Sequence, residues 1–209
     1  MSDETSESYY DWFEPLYAQA NGDATQVPWS LPTATAYLTH WLSKNKVQGA
    51  GRSAVVVGCG LGDDAEALAA AGFVVTAFDV SPSAVAWAQE RFPKSSVNYT
   101  VADVFQLPDD WLAAFDLVFD FRTIQALPLS VRTDVITQIA SLVKPGGIVL
   151  IATYARESEG AFEGPPWPLS AQELAQFESY GLVAVVKETL HNAESRFADR
   201  ILIQYQAPL

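Results

Sequence analysis

Three glycines alternate in the run Ala54-Val-Val-Val-Gly58-Cys59-Gly60-Leu61-Gly62-Asp63-Asp64, where an apolar stretch stops and a helical pattern starts at once. Glycines at every second position let a backbone pass close to a ligand and take dihedrals that a side chain forbids. Such a turn suits a nucleotide-containing cofactor. Twenty-one positions after Gly58, a second apolar run (Phe73-Val-Val-Thr-Ala-Phe-Asp79) ends in a carboxylate. An acid about 20 residues beyond the first glycine, at the end of the next strand, is placed to accept from ribose hydroxyls.

The glycine spacing separates two kinds of cofactor. Dinucleotide folds use Gly-x-Gly-x-x-Gly with the pyrophosphate on the helix N-terminus, whereas this chain reads Gly-x-Gly-x-Gly and continues with Asp63, Asp64 and Glu66. Three carboxylates there repel a diphosphate. They suit a ligand carrying an ammonium and a sulfonium, which is S-adenosylmethionine. For Asp63 and Glu66 the competing role is to complement the positive end of the helix dipole.

The elements that position these residues follow from periodicity. Near-continuous apolar runs at Ala54 to Val57, Val74 to Asp79, Val97 to Val101, Phe115 to Phe119 and Ile148 to Tyr154 predict buried parallel strands. Helical patterns fall between them. Leu61, Ala65, Leu68 and Ala69 share a face, and Ser81-Pro82 caps a helix carrying Val85, Trp87, Ala88 and Phe92. A third helix is predicted from Pro128, with Val131, Val135, Ile139 and Leu142 in register, ended by Lys144-Pro145-Gly146-Gly147. Beyond Tyr154, Leu182 to Leu190 and Ile201 to Gln206 predict an antiparallel pair. The fold expected is an α/β, Rossmann-like sheet, mostly parallel with an antiparallel C-terminal hairpin and helices on both faces. Its ligand belongs beyond the carboxyl ends of the strands, where the glycine turn, Asp79, Asp103 and Asp120 all fall.

Length and composition bound the rest. A chain of 209 residues with 49% hydrophobic content supports one core. Residues 29–209 are predicted to form it, and residues 1–28 an N-terminal aromatic extension or lid. A net charge of -13 with 12 Lys and Arg argues against a nucleic-acid partner. No apolar stretch approaches the length of a membrane span, the N-terminus is acidic rather than signal-like, and a cytoplasmic location is expected. Cys59 is the sole cysteine. Flanked by glycines with no His or Asp beside it to activate it, it is expected to act as a small apolar residue under the cofactor turn. No metal site is expected.

Taken in order, Gly58-Cys-Gly-Leu-Gly62, Asp79-Val80-Ser81, Ala102-Asp103-Val104-Phe105, Phe115-Asp-Leu-Val-Phe-Asp120 and Lys144-Pro-Gly-Gly147 resemble the class I S-adenosylmethionine-dependent methyltransferases. The resemblance implies a seven-stranded sheet, ribose at Asp79 beside Val80, and adenine near Asp103 and Val104. It also implies methionine contacts at the glycine turn, including Gly58, Cys59, Gly60 and Gly62, and at Asp120 with the neighbouring Phe121. Many members carry an acid two residues before the first glycine, where this chain has Val56. A subgroup resembling thiopurine, thiol and halide methyltransferases lacks that acid and reads Gly-Cys-Gly-x-Gly-x-Asp, which makes Asp64 the amine partner. Val27-Pro28-Trp29, Asp120 to Pro128 with Arg132, and Gly164-Pro165-Pro166-Trp167 are similar to segments of the same subgroup.

The reaction implied is methyl transfer to a small molecule by in-line displacement, with a thiol or other soft nucleophile as acceptor. A thiol near pKa 8.5 already offers some thiolate, and a nearby cation raises the fraction. Arg122 is the candidate for that charge, its competing role being an ion pair with a carboxylate. An oxygen acceptor needs a base. Only His40 and His191 are present; His40 is expected on the surface of a helix from Thr33 to Ser43, and His191 in the loop between the last two strands. Alternatives are O- or N-methylation of an aromatic metabolite through His191, or cofactor binding without turnover; the glycine spacing disfavours hydride transfer. Tyr9, Tyr10, Trp12, Phe13, Leu16 and Tyr17 are expected to cover the site or pack on the sheet, with Pro15 breaking their helix. Trp29 is expected to face the sulfonium by cation–π attraction. Trp41, Trp87 and Trp111 are expected to pack in the core, and Trp167 to wall the acceptor pocket.

Overall fold

The computed structural model describes residues 10–157, 164–190 and 200–209. Seven strands, β1 (Ser53–Val57), β2 (Val74–Asp79), β3 (Asn98–Val101), β4 (Phe115–Phe121), β5 (Val143–Tyr154), β6 (Val183–Leu190) and β7 (Arg200–Gln206), form one sheet. Their order is β3-β2-β1-β4-β5-β7-β6. The first five run parallel, and β7 inserts antiparallel between β5 and β6. This is the mostly parallel sheet with a reversed C-terminal strand that the periodicity implies. The chain leaves β1 toward β2 on one side and returns to β4 on the other, so the connections that follow β1 and β4 run to opposite sides and open a crevice above the paired strand ends.

Side chains alternate across the sheet as a pleat requires. Val55 and Val57 of β1 join Val118, Val149 and Ile151 in the layer under α5 (Arg132–Ser141) and α6 (Ala171–Ser179). Ala54 and Val56 join Leu117, Phe119, Leu150 and Ala152 in the opposite layer, under α2 (Ala36–Lys44), α3 (Asp63–Ala70) and α4 (Pro82–Arg91). Trp41 is buried, Trp111 packs between Phe78 and Phe115, and Trp87 packs on the cluster of Tyr17 and Leu61.

Several boundaries differ from expectation for local reasons. The residues Lys144-Pro145-Gly146-Gly147 do not end a helix. α5 is complete at Ser141, Val143 already pairs with Phe115, and the next pair is Leu117 with Ile148, so the Pro-Gly-Gly segment bulges within β5. Pro128 precedes one turn of 3-10 helix, Leu129–Val131, before α5 begins. α2 starts at Ala36 rather than Thr33, because Thr35 is extended and forms the cap. Pro15 does not interrupt α1 (Phe13–Ala20). It lies in the first turn, where its missing N–H has no intrahelical partner to lose. Tyr9 lies outside the described residues.

A buried chain of charges ties the end of β4 to α5 and α6. Glu173, in the first turn of α6, closes a capping box with Ser170 and accepts from Arg156 at 2.7 Å. It also stands 3.6 Å from the Nε of Arg132, whose Nη2 donates to the carbonyls of Leu127 and Trp167. Arg132 is 2% exposed, and burial lowers its pKa to about 10. The network clamps the loop after β4 against residues 167–169. Glu173→Ala therefore leaves two buried guanidinium groups without their shared carboxylate. It is expected to destabilise the fold by about 3 to 5 kcal/mol in urea unfolding; a loss below about 1 kcal/mol would count against the clamp.

Candidate active site

The glycine turn is shaped by backbone conformation and by protein atoms. Gly58, Gly60 and Gly62 have φ of 58°, 50° and 88°. A Cβ on Gly60 would stand 2.9 Å from the Tyr17 hydroxyl, and one on Gly58 or Gly62 would run into Thr123 or Tyr99. The close approach expected for a ligand is thus also an approach by three of the protein's own side chains. The backbone N–H of Gly60 donates to Asp79 at 2.9 Å, locking the turn to the end of β2. Cys59 behaves as the sequence suggests: its thiol is held among apolar neighbours and burial pushes its pKa well up.

A cavity of about 450 Å³ opens at the carboxyl ends of β1, β2 and β4. Gly58, Cys59, Gly60, Gly62, Asp64, Asp79, Val80, Asp103, Val104, Phe121, Arg122 and Trp29 all line it. Residues from separate parts of the sequence therefore meet in one crevice. The three acids of α3 divide by partner. Asp63 takes a bidentate bond from Arg91 at 2.6 and 2.9 Å, and Glu66 accepts from Tyr99 and Ser95. Asp63 also borders the cavity, but Arg91 meets its charge, and of the three Asp64 alone faces the cavity without an ion pair among the described residues. Its Oδ1 accepts from the Thr35 amide at 2.7 Å; burial, partly offset by that bond, raises its pKa to about 7. The expectation of three carboxylates facing a cation is corrected to one.

Asp79 is 7% exposed and accepts from the amides of Gly60 and Ser81, with its pKa raised by burial. Asp103 accepts from the Phe105 amide at 2.8 Å and from the Tyr10 hydroxyl at 2.5 Å. Each carboxylate oxygen carries two lone pairs, so both acids retain capacity for ribose or adenine donors. Asp120 is placed differently from expectation. It is completely enclosed at the end of β4, and it does not line the cavity. Burial raises its pKa to about 7 against the opposing pull of Thr123, Ile124 and Arg132. The residues that reach the cavity from this strand end are Phe121, Arg122 and Thr123.

The aromatic segment ahead of Trp29 does line the site. Trp29 donates to Tyr17 at 2.7 Å and meets Trp12 and Phe13 edge-on, with centroids 5.4 and 5.8 Å away. Glu14 anchors this segment by accepting from the Ser81 hydroxyl and from the amide and hydroxyl of Ser83, at the start of α4. Those bonds hold its carboxyl below the usual range in spite of desolvation.

Arg122 lies between Phe121 and Tyr154, its guanidinium 4.5 and 4.9 Å from the two ring centroids, and donates to the Tyr154 hydroxyl at 3.1 Å. It makes no ion pair among the described residues, so the competing role as a carboxylate partner does not hold. Burial lowers its pKa, yet a guanidinium remains charged at neutral pH. His40 is on the outer side of α2, bonded to Glu188 at 3.0 Å and away from the cavity, and His191 lies outside the described residues. Pro165 and Pro166, rather than Trp167, wall the cavity. Trp167 instead packs over Gly164 and bonds to Gln125 and Arg132. Thr123, Gln125 and Tyr154 were not singled out from the sequence. The one available signal was a glutamine amid the apolar residues Ile124, Ala126 and Leu127.

Residues 19–200 match the family described as Thiopurine S-methyltransferase (TPMT). Probable thiol methyltransferase 2 of Arabidopsis thaliana is 31% identical over 157 residues, a stretch covering 72% of this chain and 66% of that protein. Thiocyanate methyltransferase 1 of the same plant is 30% identical over 178 residues, covering 81% of this chain and 74% of that protein. The solved 1,6-didemethyltoxoflavin-N1-methyltransferase of Burkholderia thailandensis, with S-adenosylhomocysteine bound, shares the fold at a TM-score of 0.71 and 16% identity, over 100% of this chain and 94% of its own. Glycine turn, strand order and matched length agree, and this chain belongs to the thiopurine S-methyltransferase family of S-adenosylmethionine-dependent methyltransferases.

Proposed function

We propose that this protein methylates a small molecule at a soft nucleophile, a thiol above all, with S-adenosylmethionine as donor. The observation that carries the reading is Arg122, a half-buried cation without an ion pair among the described residues, in the same cavity as the acids. No histidine lines that cavity among the described residues, which favours an acceptor that needs no general base. Thiol and thiocyanate are the acceptors named for the two plant relatives.

When bound, S-adenosylmethionine supplies a methyl carbon on a sulfonium; a thiolate forms the new C–S bond as the old one breaks, giving a thioether and S-adenosylhomocysteine. The protein's part is to hold, orient and dry. Asp64 pairs with the ammonium, Asp79 accepts from ribose hydroxyls, and Asp103, beside Val104, accepts from the adenine amine. Trp29, with Trp12 and Phe13, presents aromatic surface to the sulfonium and excludes water, each such contact contributing about 0.5 to 2 kcal/mol. Arg122 favours the thiolate over the thiol, and the thiol's proton leaves to water before transfer. An attacking sulfur held about 3 to 3.5 Å from the methyl carbon, in line with the C–S bond that breaks and in a dry cavity, would account for much of the acceleration.

With the free Asp64 carboxyl near 7, an ammonium ligand must displace its proton at lower pH. Affinity for S-adenosylhomocysteine, measured by calorimetry, is therefore expected to be high at pH 8 and to fall as pH drops through 7 to 6. Asp64→Asn is expected to bind at least about tenfold more weakly at pH 8, a loss of about 1.4 kcal/mol, with a flat profile; an unchanged affinity would reassign the ammonium. Arg122→Met is expected to lower kcat/KM for benzyl mercaptan about tenfold at pH 7 and to recover toward wild type at pH 10, where solvent alone ionises most of the thiol. A loss equal at both pH values would remove thiolate stabilisation as its role, and absence of labelled product from thiols, halides and thiocyanate alike would remove the proposed reaction.

A further inference from the structure

Gln125 lies in the 3-10 turn Ile124–Ala126 and is 3% exposed, yet it lines the cavity. Its carbonyl oxygen Oε1 accepts from the Thr153 hydroxyl at 2.9 Å and from the Tyr154 amide at 2.7 Å. A main-chain N–H can only donate, so these bonds settle which end of the side chain is oxygen. The Nε2 group is left with two N–H donors and no acceptor among the described residues. It is not sealed in the core either, since it is absent from the enclosed polar atoms without partners. The backbone holds the residue from the other side, because the Gln125 carbonyl accepts from the Trp167 amide at 2.7 Å. Gln125 therefore cannot turn its amide without breaking two bonds to β5.

Tyr154 joins this donor to Arg122: its amide fixes Gln125, and its hydroxyl takes the Arg122 bond. Both donors line the same cavity. A buried amide with unspent donors is left wanting an acceptor, which water supplies weakly and a fitted ligand supplies well. Resting on the reading of this cavity as a methyl-acceptor site, we infer that Gln125 determines specificity. Its amide donates to a lone-pair atom that the acceptor carries beside its nucleophilic sulfur, so the preferred substrates are thiols flanked by a nitrogen or oxygen acceptor rather than plain thiols.

The test uses binding to the full chain loaded with S-adenosylhomocysteine, which does not depend on turnover. The probes are 2-mercaptopyrimidine, whose ring nitrogens flank its sulfur, and thiophenol, which has the same ring size and sulfur without them. Wild type is expected to bind the pyrimidine at least tenfold more tightly by calorimetry. Gln125→Glu keeps an oxygen for Thr153 and Tyr154 but replaces the donor, and is expected to erase the preference while leaving S-adenosylhomocysteine affinity within twofold. If that variant does not fold, Gln125→Met serves in its place with the same expectation. Equal binding of the two probes by wild type, or a preference that survives both substitutions, overturns the inference. A preference that depends on Gln125 without any methylated product would instead overturn the proposed reaction and leave the amide's role intact.

Discussion

The turn after β1 depends on steric exclusion more than on any single bond. Thr123 from the loop after β4, Tyr17 from α1 and Tyr99 from β3 occupy the space that side chains at Gly58, Gly60 and Gly62 would need. All three glycines have left-handed dihedrals, which cost other residues about 1 to 2 kcal/mol each. The glycines are therefore required twice, once by conformation and once by packing. Because three remote segments dock on this one bend, the cofactor turn is also where the N-terminal helix, the edge of the sheet and the acceptor loop are registered against each other.

Around that bend, partners rather than residue type decide which charges can act. The chain carries 25 acids, and three of them fall in the first turn of α3. Arg91 consumes Asp63, and Tyr99 and Ser95 consume Glu66, so a single carboxylate remains for a cationic ligand. Asp64 and Asp120 are both pushed up to about 7 by burial, yet one faces the cavity and the other is enclosed beside Arg132. On the cationic side, Arg122 is held by two aromatic faces and a phenol instead of a carboxylate. A guanidinium held this way makes no ion pair among the described residues, which is what a site that favours an anion requires.

Elements with strong periodicity were legible in the sequence. β1, β2 and β4 alternate between two apolar layers, and Ser81-Pro82 caps α4 through a bond from Ala84, as its residue types imply. Less legible were places where a local rule met a tertiary partner. Pro145, Gly146 and Gly147 have the composition of a helix stop, but the pairing of Val143 with Phe115 draws them into a strand bulge. Trp167 is expected from the sequence to wall the acceptor pocket, yet Pro165 and Pro166 reach the cavity, while the Trp167 ring packs over Gly164 and its main chain bonds to Gln125 and Arg132. Gln125 carries no motif; its importance comes from Thr153 and Tyr154, 28 and 29 positions away.

By itself, the amino-acid sequence determined the α/β class, the cofactor turn and the acid at the end of β2, because these depend on periodicity and on glycines and a carboxylate at fixed spacing along one chain. Only the tertiary structure decided which acid of α3 remains unpaired, that Asp120 is enclosed, and that Arg122 and Gln125 border the same space. Those outcomes depend on burial and on partners that come from other strands and helices, and neither is encoded by spacing along the chain.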